Sequence, residues 1–304
     1  MELKTKVQNE EDEGATPLQA AVMWFICAVL CECLLRAFTK TTGSADSFGR
    51  VVIIFVVLHV IHRFARLCMR TYHPELKDLI AVSSILVSSV IMVLVGRVLA
   101  ISLSAYVKEI ELPGLISTGL SIDASSLAYA IPYAAGGVLV QSILGMQYGI
   151  LFTLEFSLIL SLYSPAGLML APFVLATTLI GGISMVKFRS RSAYMKSGVN
   201  VTLISLPFAL SSVLISGDVS AVNIVVLSGG AILGGVLCSF IVGGAVPVLE
   251  YVGGYATDMT LLEIATLDHA LLKELSVTAP GTWNHSMVMG MMAEQAAESV
   301  GAIR

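Results

Sequence analysis

The run IVVLSGGAILGGVLCSFIVGGAVPVLEYV, from Ile224 to Val252, carries one charged residue, Glu250. About 20 apolar residues in a helix cross a hydrocarbon core of about 30 Å, so this stretch reads as a membrane span with length to spare. Gly230 and Gly234, with Gly235, Gly243 and Gly244 beyond them, give it a small-residue face. Such a face lets helices approach closely, either within one bundle or between two subunits as a homodimer. Gly229-Gly230 does not make a phosphate loop, since neither a Lys-Ser/Thr ending nor a soluble strand accompanies it.

Working back from this span, the same length rule finds spans at Pro17 to Phe38, Val51 to Met69, Leu79 to about Val107, Leu127 to Leu144, Met146 to Tyr163, Gly167 to Val186 and Val199 to Gly217, about eight in all. Of the 304 residues, 56% are hydrophobic and 12% charged, about half the charge of a soluble domain. The mean hydropathy is +0.88. The expected fold is therefore all-α: a polytopic bundle in a lipid bilayer. Cys27, Cys31, Cys33, Cys68 and Cys238 lie in or against apolar runs without a spaced framework, which argues against disulfides and zinc. A net charge of −4 offers no basic surface for long nucleic acid, though a small nucleotide ligand stays open.

Basic residues collect in short cytoplasmic connections. Arg63, Arg66, Arg70 and Lys77 mark the second-to-third connection as inside, and Lys187, Arg189, Arg191 and Lys196 the sixth-to-seventh. Lys108 to Ser126 and Gly217 to Asn223 are richer in acid than base and fall outside. The C-terminal segment then lies in the cytoplasm, and an even number of spans places the N-terminus there too. Arg36, Lys40 and Arg50 outside, against Lys4 and Lys6 inside, run counter to that rule at the first span. Residues 1–16 are polar and acidic, with no basic cluster ahead of the first apolar run and no cleavage site after it, unlike a cleaved signal peptide.

Beyond the last span, Gly253 to Thr278 reads as a juxtamembrane connector. Thr260 and Glu263 have capping-box spacing, and Asp268 caps a second short helix through Leu275. Pro280 and Gly281 break the chain, after which Asn284 to Val300 reads as a helix closed by Gly301. Its inner stripe is His285, Val288, Met289, Met292, Ala296 and Val300, with Glu294 and Glu298 opposite. A lone His on an apolar face is more often a packed core residue than a ligand. Met287, Met289, Met291 and Met292 form a soft apolar face that suits partner helices.

Two terminal runs, LKELSVTAPGTWNHS over Leu272 to Ser286 and MAEQAAESVGA over Met292 to Ala302, resemble the opening of the HD hydrolase domain in a bacterial membrane family, the seven-transmembrane receptors with an intracellular HD domain. Tyr72 to Lys77 (YHPELK), Lys187 to Ser192 (KFRSRS) and Leu249 to Asp258 (LEYVGGYATD) carry the resemblance into the bundle, over roughly residues 50 to 304. Characterised members of that family are cyclic di-AMP phosphodiesterases, which implies a hydrolase of the bacterial cytoplasmic membrane under control of a transmembrane signal. The resemblance divides the chain into a cytoplasmic tail (1–16), a first span (17–38), a short extracytoplasmic loop where the family carries a sensor domain (39–50), a seven-span bundle (51–252), a connector (253–278) and the start of an HD domain (279–304).

The resemblance also makes His285 the first ligand of a pair of divalent ions, manganese or iron, that activate water against a phosphodiester. An imidazole in a first helical turn suits that role, since the helix N-terminus favours the neutral ring. The His-Asp pair that names the domain should follow Val300-Gly-Ala302, whereas the chain has no His or Asp after His285 and ends at Arg304. Asp268-His269 has the reverse order and lies upstream. The expectation is thus that these 304 residues alone bind no metal pair and are inactive, with catalysis belonging to a complete protein. A non-catalytic receptor or scaffold is the alternative, and a transporter a more distant one.

Within the spans, Glu32 and Arg36 have the spacing of an i, i+4 pair. Arg97 and Glu155 lie deep in their spans, where a charge costs about 2.5 to 3.5 kcal/mol on insertion scales and so needs a partner or water. They are expected to form an intramembrane polar pair, as a structural bond or as part of a transport or ligand cavity, with the structural bond favoured. His59 and His62, one turn apart beside Arg63 and Arg66, read as interfacial packing rather than a metal site.

Overall fold

The computed structural model describes residues 15–36, 44–69, 72–109, 126–163, 167–187, 192–217, 219–255 and 270–299. It divides into two units, Met1–Tyr255 and Ala256–Arg304. In the first unit, α1 (Pro17–Leu35) starts where the Thr16 hydroxyl accepts from the Gln19 N–H and the Gln19 side chain accepts from the Thr16 N–H. Pro17 stands at the first helical position, where its missing N–H costs nothing. The bundle continues with α2 (Ser44–Cys68), α3 (Leu76–Glu109), a 3-10 turn (Ser126–Ala130), α4 (Ala135–Leu144), α5 (Met146–Leu162), α6 (Gly167–Lys187), α7 (Ser192–Ser216) and α8 (Ala221–Gly253).

Two helices start seven residues before the expected spans, at Ser44 instead of Val51 and at Ser192 instead of Val199, so residues 44–50 of the expected 39–50 loop are helical; the eight expected apolar stretches are present but differ in length. Among the described residues six stretches are long and apolar enough to cross a membrane, while Met146–Leu162 and Met169–Met185 are shorter. The helix α5 is confined between Gly145, at φ 94°, and its C-cap Tyr163. At about 1.5 Å per residue it spans about 25 Å. The stretch Leu127–Leu144 meets the length criterion, yet it is not one helix. It turns as a 3-10 segment, breaks around Pro132, and resumes as the ten-residue α4. Proline supplies no N–H and disfavours the helical conformation in the residue before it, which accounts for the break.

This broken helix is the centre of the bundle. α4 packs against α3, α5, α6 and α8, and its residues Ala135 to Gln141 are all buried. Close approach depends on glycine: a Cβ on Gly136 would stand 2.1 Å from the Ser89 Oγ, and one on Gly137 2.1 Å from the Thr178 Cγ2. Around this centre α5, α6, α7 and α8 pack in sequence order, and α1 packs on α2 and α3. The small-residue face of α8 is used inside the bundle: Gly230, Gly234 and Gly235 are buried, and a Cβ on Gly235 would stand 2.6 Å from the Gly198 carbonyl of α7. Outward faces carry Phe25, Phe48, Phe64, Leu214, Phe240 and Tyr251, all exposed. So large an apolar surface suits lipid as its solvent.

The second unit, considered by itself, contains α9 (Ala270–Thr278) and α10 (Pro280–Ser299). The expected break at Pro280 and Gly281 is a helix start, with α10 beginning at Pro280 rather than Asn284. The Trp283 N–H donates to the Ala279 carbonyl, and the Ala279 N–H donates to Leu275. A proline in the first turn loses no intrahelical bond, so helix formation proceeds through it. α9 runs on to Thr278, past the expected Leu275. Thr260, Glu263, Asp268, Val300 and Gly301 lie outside the described residues.

Candidate functional site

The extended α10 moves His285 from the expected first turn into the second, where the free N–H groups of the helix start no longer adjoin it. His285 is exposed. The stripe read as an inner face is exposed as well, with Val288 at 49%, Met289 at 51% and Met292 at 60%. Among the described residues no group of three or more His, Cys, Asp or Glu is placed to hold a metal. A single imidazole does not make a hydrolytic metal centre, so the residues present do not themselves fit the metal pair.

Polar chemistry in the bundle collects near its two ends and at two central positions. Where α1 ends and α2 begins, the expected Glu32–Arg36 pairing gives way to a bond between helices: Arg50 Nε donates to both Glu32 oxygens at 3.2 and 3.1 Å, and Arg50 Nη2 reaches Glu32 Oε1 at 3.1 Å. The Tyr163 hydroxyl, at the end of α5, also donates to Glu32, and the guanidinium lies 5.6 Å from the Tyr163 ring centroid. The planar guanidinium of Arg50 reaches both carboxylate oxygens at once. The three groups tie together the ends of α1 and α5 and the start of α2.

At the opposite end, the Ala15 N–H donates to the Pro74 carbonyl at 3.1 Å, and Arg66 Nη1 donates to the Ala15 carbonyl at 3.0 Å. The start of α1 therefore sits beside the α2–α3 connection. Next to it, His62 Nδ1 and the Tyr72 hydroxyl share a 3.1 Å hydrogen bond. Trp24 lies 5.7 Å from the His62 ring and Tyr148 4.7 Å from Tyr72. His62 is buried in this aromatic packing, while His59 stacks on Phe55. Burial pushes the Tyr72 hydroxyl above the ordinary tyrosine range, and the nearby Glu155 adds to the effect.

The same end holds the exit from the bundle. After α8 the chain turns at Gly254, in the left-handed region at φ 63°. The Tyr255 hydroxyl then donates to Asp78 Oδ1 at 3.1 Å, while Asp78 Oδ2 accepts from the Glu75 N–H at 3.0 Å. Asp78 thus caps the start of α3 and holds the last residue of the first unit. Burial, followed by the Asp78 carboxylate, raises the Tyr255 hydroxyl above its usual value, so Tyr255 stays a neutral donor at ordinary pH. The pairings of Tyr163 and Tyr255 carried no sequence signal, because their partners lie 131 and 177 residues away, although Tyr255 lies in the run LEYVGGYATD.

The expected pair of Arg97 and Glu155 is not formed. Glu155 is 2% exposed with its Oε2 unpartnered. It lies on the α5 face that carries Tyr148 and Leu151, which packs toward Tyr72. Arg97 belongs elsewhere: the preceding Gly96 abuts Ile131 of the broken segment, and Arg97 is within electrostatic reach of Tyr133. Depth in the bilayer is common to both residues, but they face different neighbours. Cys27, Cys31 and Cys238 are buried in the bundle, and Cys33 and Cys68 are exposed on it.

The model of a family described as 7TM receptor with intracellular HD hydrolase matches residues 45–257. Two curated relatives bear the name cyclic-di-AMP phosphodiesterase PgpH. One, from Listeria monocytogenes serotype 1/2a (strain 10403S), is 30% identical over 182 residues, covering 59% of this chain and 25% of the relative. The other, from Bacillus subtilis (strain 168), is 26% identical over 195 residues, covering 62% and 27%. The chain thus spans about a quarter of the length of these relatives. No solved structure matches.

Proposed function

The chain belongs to the family of seven-transmembrane receptors with an intracellular HD hydrolase, and from that membership we propose that it is the membrane portion of a metal-dependent phosphodiesterase that hydrolyses cyclic di-AMP to the linear dinucleotide. The match over residues 45–257 is the observation that carries this reading, and the names of the two relatives supply the substrate. The bundle anchors the enzyme in the bacterial cytoplasmic membrane. The exit at Tyr255 shares an end with the basic α2–α3 connection, which the distribution of Arg and Lys assigns to the cytoplasm.

In a longer polypeptide His285 would hold one of two divalent ions together with ligands from outside these residues, and such a pair would supply a water activated for attack on a phosphodiester. The residues of this chain have other tasks. Glu32, Arg50 and Tyr163 tie the end of α1 to the start of α2 and the end of α5, near residues 39–50, the place where family members carry a sensor. Asp78 and Tyr255 fix the point from which the chain leaves for the hydrolase.

The test is His285→Ala in a polypeptide that continues beyond residue 304, purified in nanodiscs with manganese. Loss of cyclic di-AMP hydrolysis, with normal membrane insertion, is the expected result. Full retained activity would remove His285 from the metal site.

A further inference from the structure

Trp24 Nε1 on α1, His62 Nε2 on α2 and Glu155 Oε2 on α5 are buried polar atoms without a hydrogen-bond partner among the described residues. Their residues are 1%, 1% and 2% exposed, and α2 packs on both other helices. The His62 ring stands 5.7 Å from the rings of both Trp24 and Tyr72, and its Nδ1 shares the 3.1 Å hydrogen bond with the Tyr72 hydroxyl. Tyr72 packs at 4.7 Å on Tyr148, which lies two turns before Glu155 on the same face of α5. Glu155 is within electrostatic reach of Tyr72 and of Cys27, a neighbour of Trp24 on the buried face of α1. These side chains join α1, α2, α5 and the α2–α3 connection.

Glu155 has no ion-pair partner among the described residues. A lone charge in a span costs about 2.5 to 3.5 kcal/mol on insertion scales, and a cation or a proton relieves it. The surrounding charges are engaged elsewhere. On α2, Arg50 is bound to Glu32 of α1, while Arg63, Arg66 and His59 lie within reach of His62. On α3, Asp78 holds Tyr255, and Arg97 lies within reach of Tyr133. Of the other helices packed on α5, α4 has no titratable side chain and α6 has only Lys187, its last residue. A metal cation needs several ligands, and among the described residues no group of three or more His, Cys, Asp or Glu is placed to hold one. A proton needs one oxygen.

We propose that Glu155 is a reversible proton-binding site in the core of the bundle, and that the His62–Tyr72 hydrogen bond is its route to the end marked by Ala15 and Pro74. On uptake, an incoming proton binds the free His62 Nε2, the Nδ1 proton passes to the Tyr72 oxygen, and the Tyr72 hydroxyl proton passes to the Glu155 carboxylate. Imidazole and phenol end neutral, the carboxylate ends as a carboxylic acid, and the His62 tautomer is reversed. Release runs the same steps backwards and restores it. A tyrosine hydroxyl can accept and donate at once, and an imidazole has a nitrogen for each side. The inference is independent of the hydrolase reading, because its readout is a proton on the bundle.

The experiment is infrared difference spectroscopy of the purified chain in nanodiscs, stepped in pH and exchanged between light and heavy water. A protonated carboxyl gives a carbonyl band apart from those of carboxylates, and that band shifts when deuterium replaces its proton. Such a band, exchanging while the protein stays folded and absent from Glu155→Gln, is expected. His62→Gln and Tyr72→Phe should keep the band and slow its exchange about a hundredfold, the low end of what a positioned proton-transfer group contributes. If Glu155→Gln does not fold, carbon-13 labelling of glutamate in the unsubstituted chain assigns the band, and the exchange rates of the other two variants carry the test. No protonated glutamate band, a band retained in full by folded Glu155→Gln, or exchange unchanged in every folded variant of His62 and Tyr72 would each overturn the proposal.

Discussion

Removing one partner of the Glu32–Arg50 pair should cost more than removing both. Their side chains are 5% and 15% exposed, so either charge left alone loses its counter-ion where water is scarce. Glu32→Gln or Arg50→Met should destabilise the protein by about 3 kcal/mol, and the double substitution by less than the sum of the two. Unfolding in detergent would read both, with additive effects ruling out the coupling. The raised Tyr255 hydroxyl leads to an alkaline effect. The folded state keeps this proton where an unfolded chain, with the ordinary value of about 10, has lost it. The contribution is therefore complete below about pH 10 and falls as pH rises toward the raised value. Tyr255→Phe should flatten the loss of stability between about pH 9 and about pH 11, and an unchanged slope would dissociate Tyr255 from it.

At the scale of elements, α7 and α8 meet where the backbones of Gly198 and Gly235 nearly touch. Gly235→Leu would overpack this contact. A loss of at least about 1 to 3 kcal/mol is expected, read as a lower unfolding temperature, whereas the same change at Gly244, which has open space around it, should be tolerated. Helix positions were legible because charge and Pro or Gly punctuate the apolar runs at places such as Gly145 and Gly217. The break at Pro132 was not, since hydropathy over Leu127 to Leu144 averages across it. Nor was the pairing of Glu32 with Arg50: sequence spacing ranks partners on one helix, whereas this contact is made between two helices. His285 was legible as a motif, but its turn was misplaced by reading Pro280 as a break.

For the whole molecule, the contacts of Ala15 with Pro74 and of Tyr255 with Asp78 bring the chain's entry into the bundle and its exit to one end. That arrangement requires an even number of crossings, which six long apolar stretches and two shorter helices satisfy. On the proposed function, hydrolysis of cyclic di-AMP would fall on the side of the basic connections. The most direct measurement uses membrane vesicles carrying the gene product to its natural end, supplied with cyclic di-AMP and manganese. Inside-out vesicles should form the linear dinucleotide without detergent, and right-side-out vesicles only after permeabilisation. No linear product from either kind, or equal product from intact right-side-out vesicles, would contradict the account.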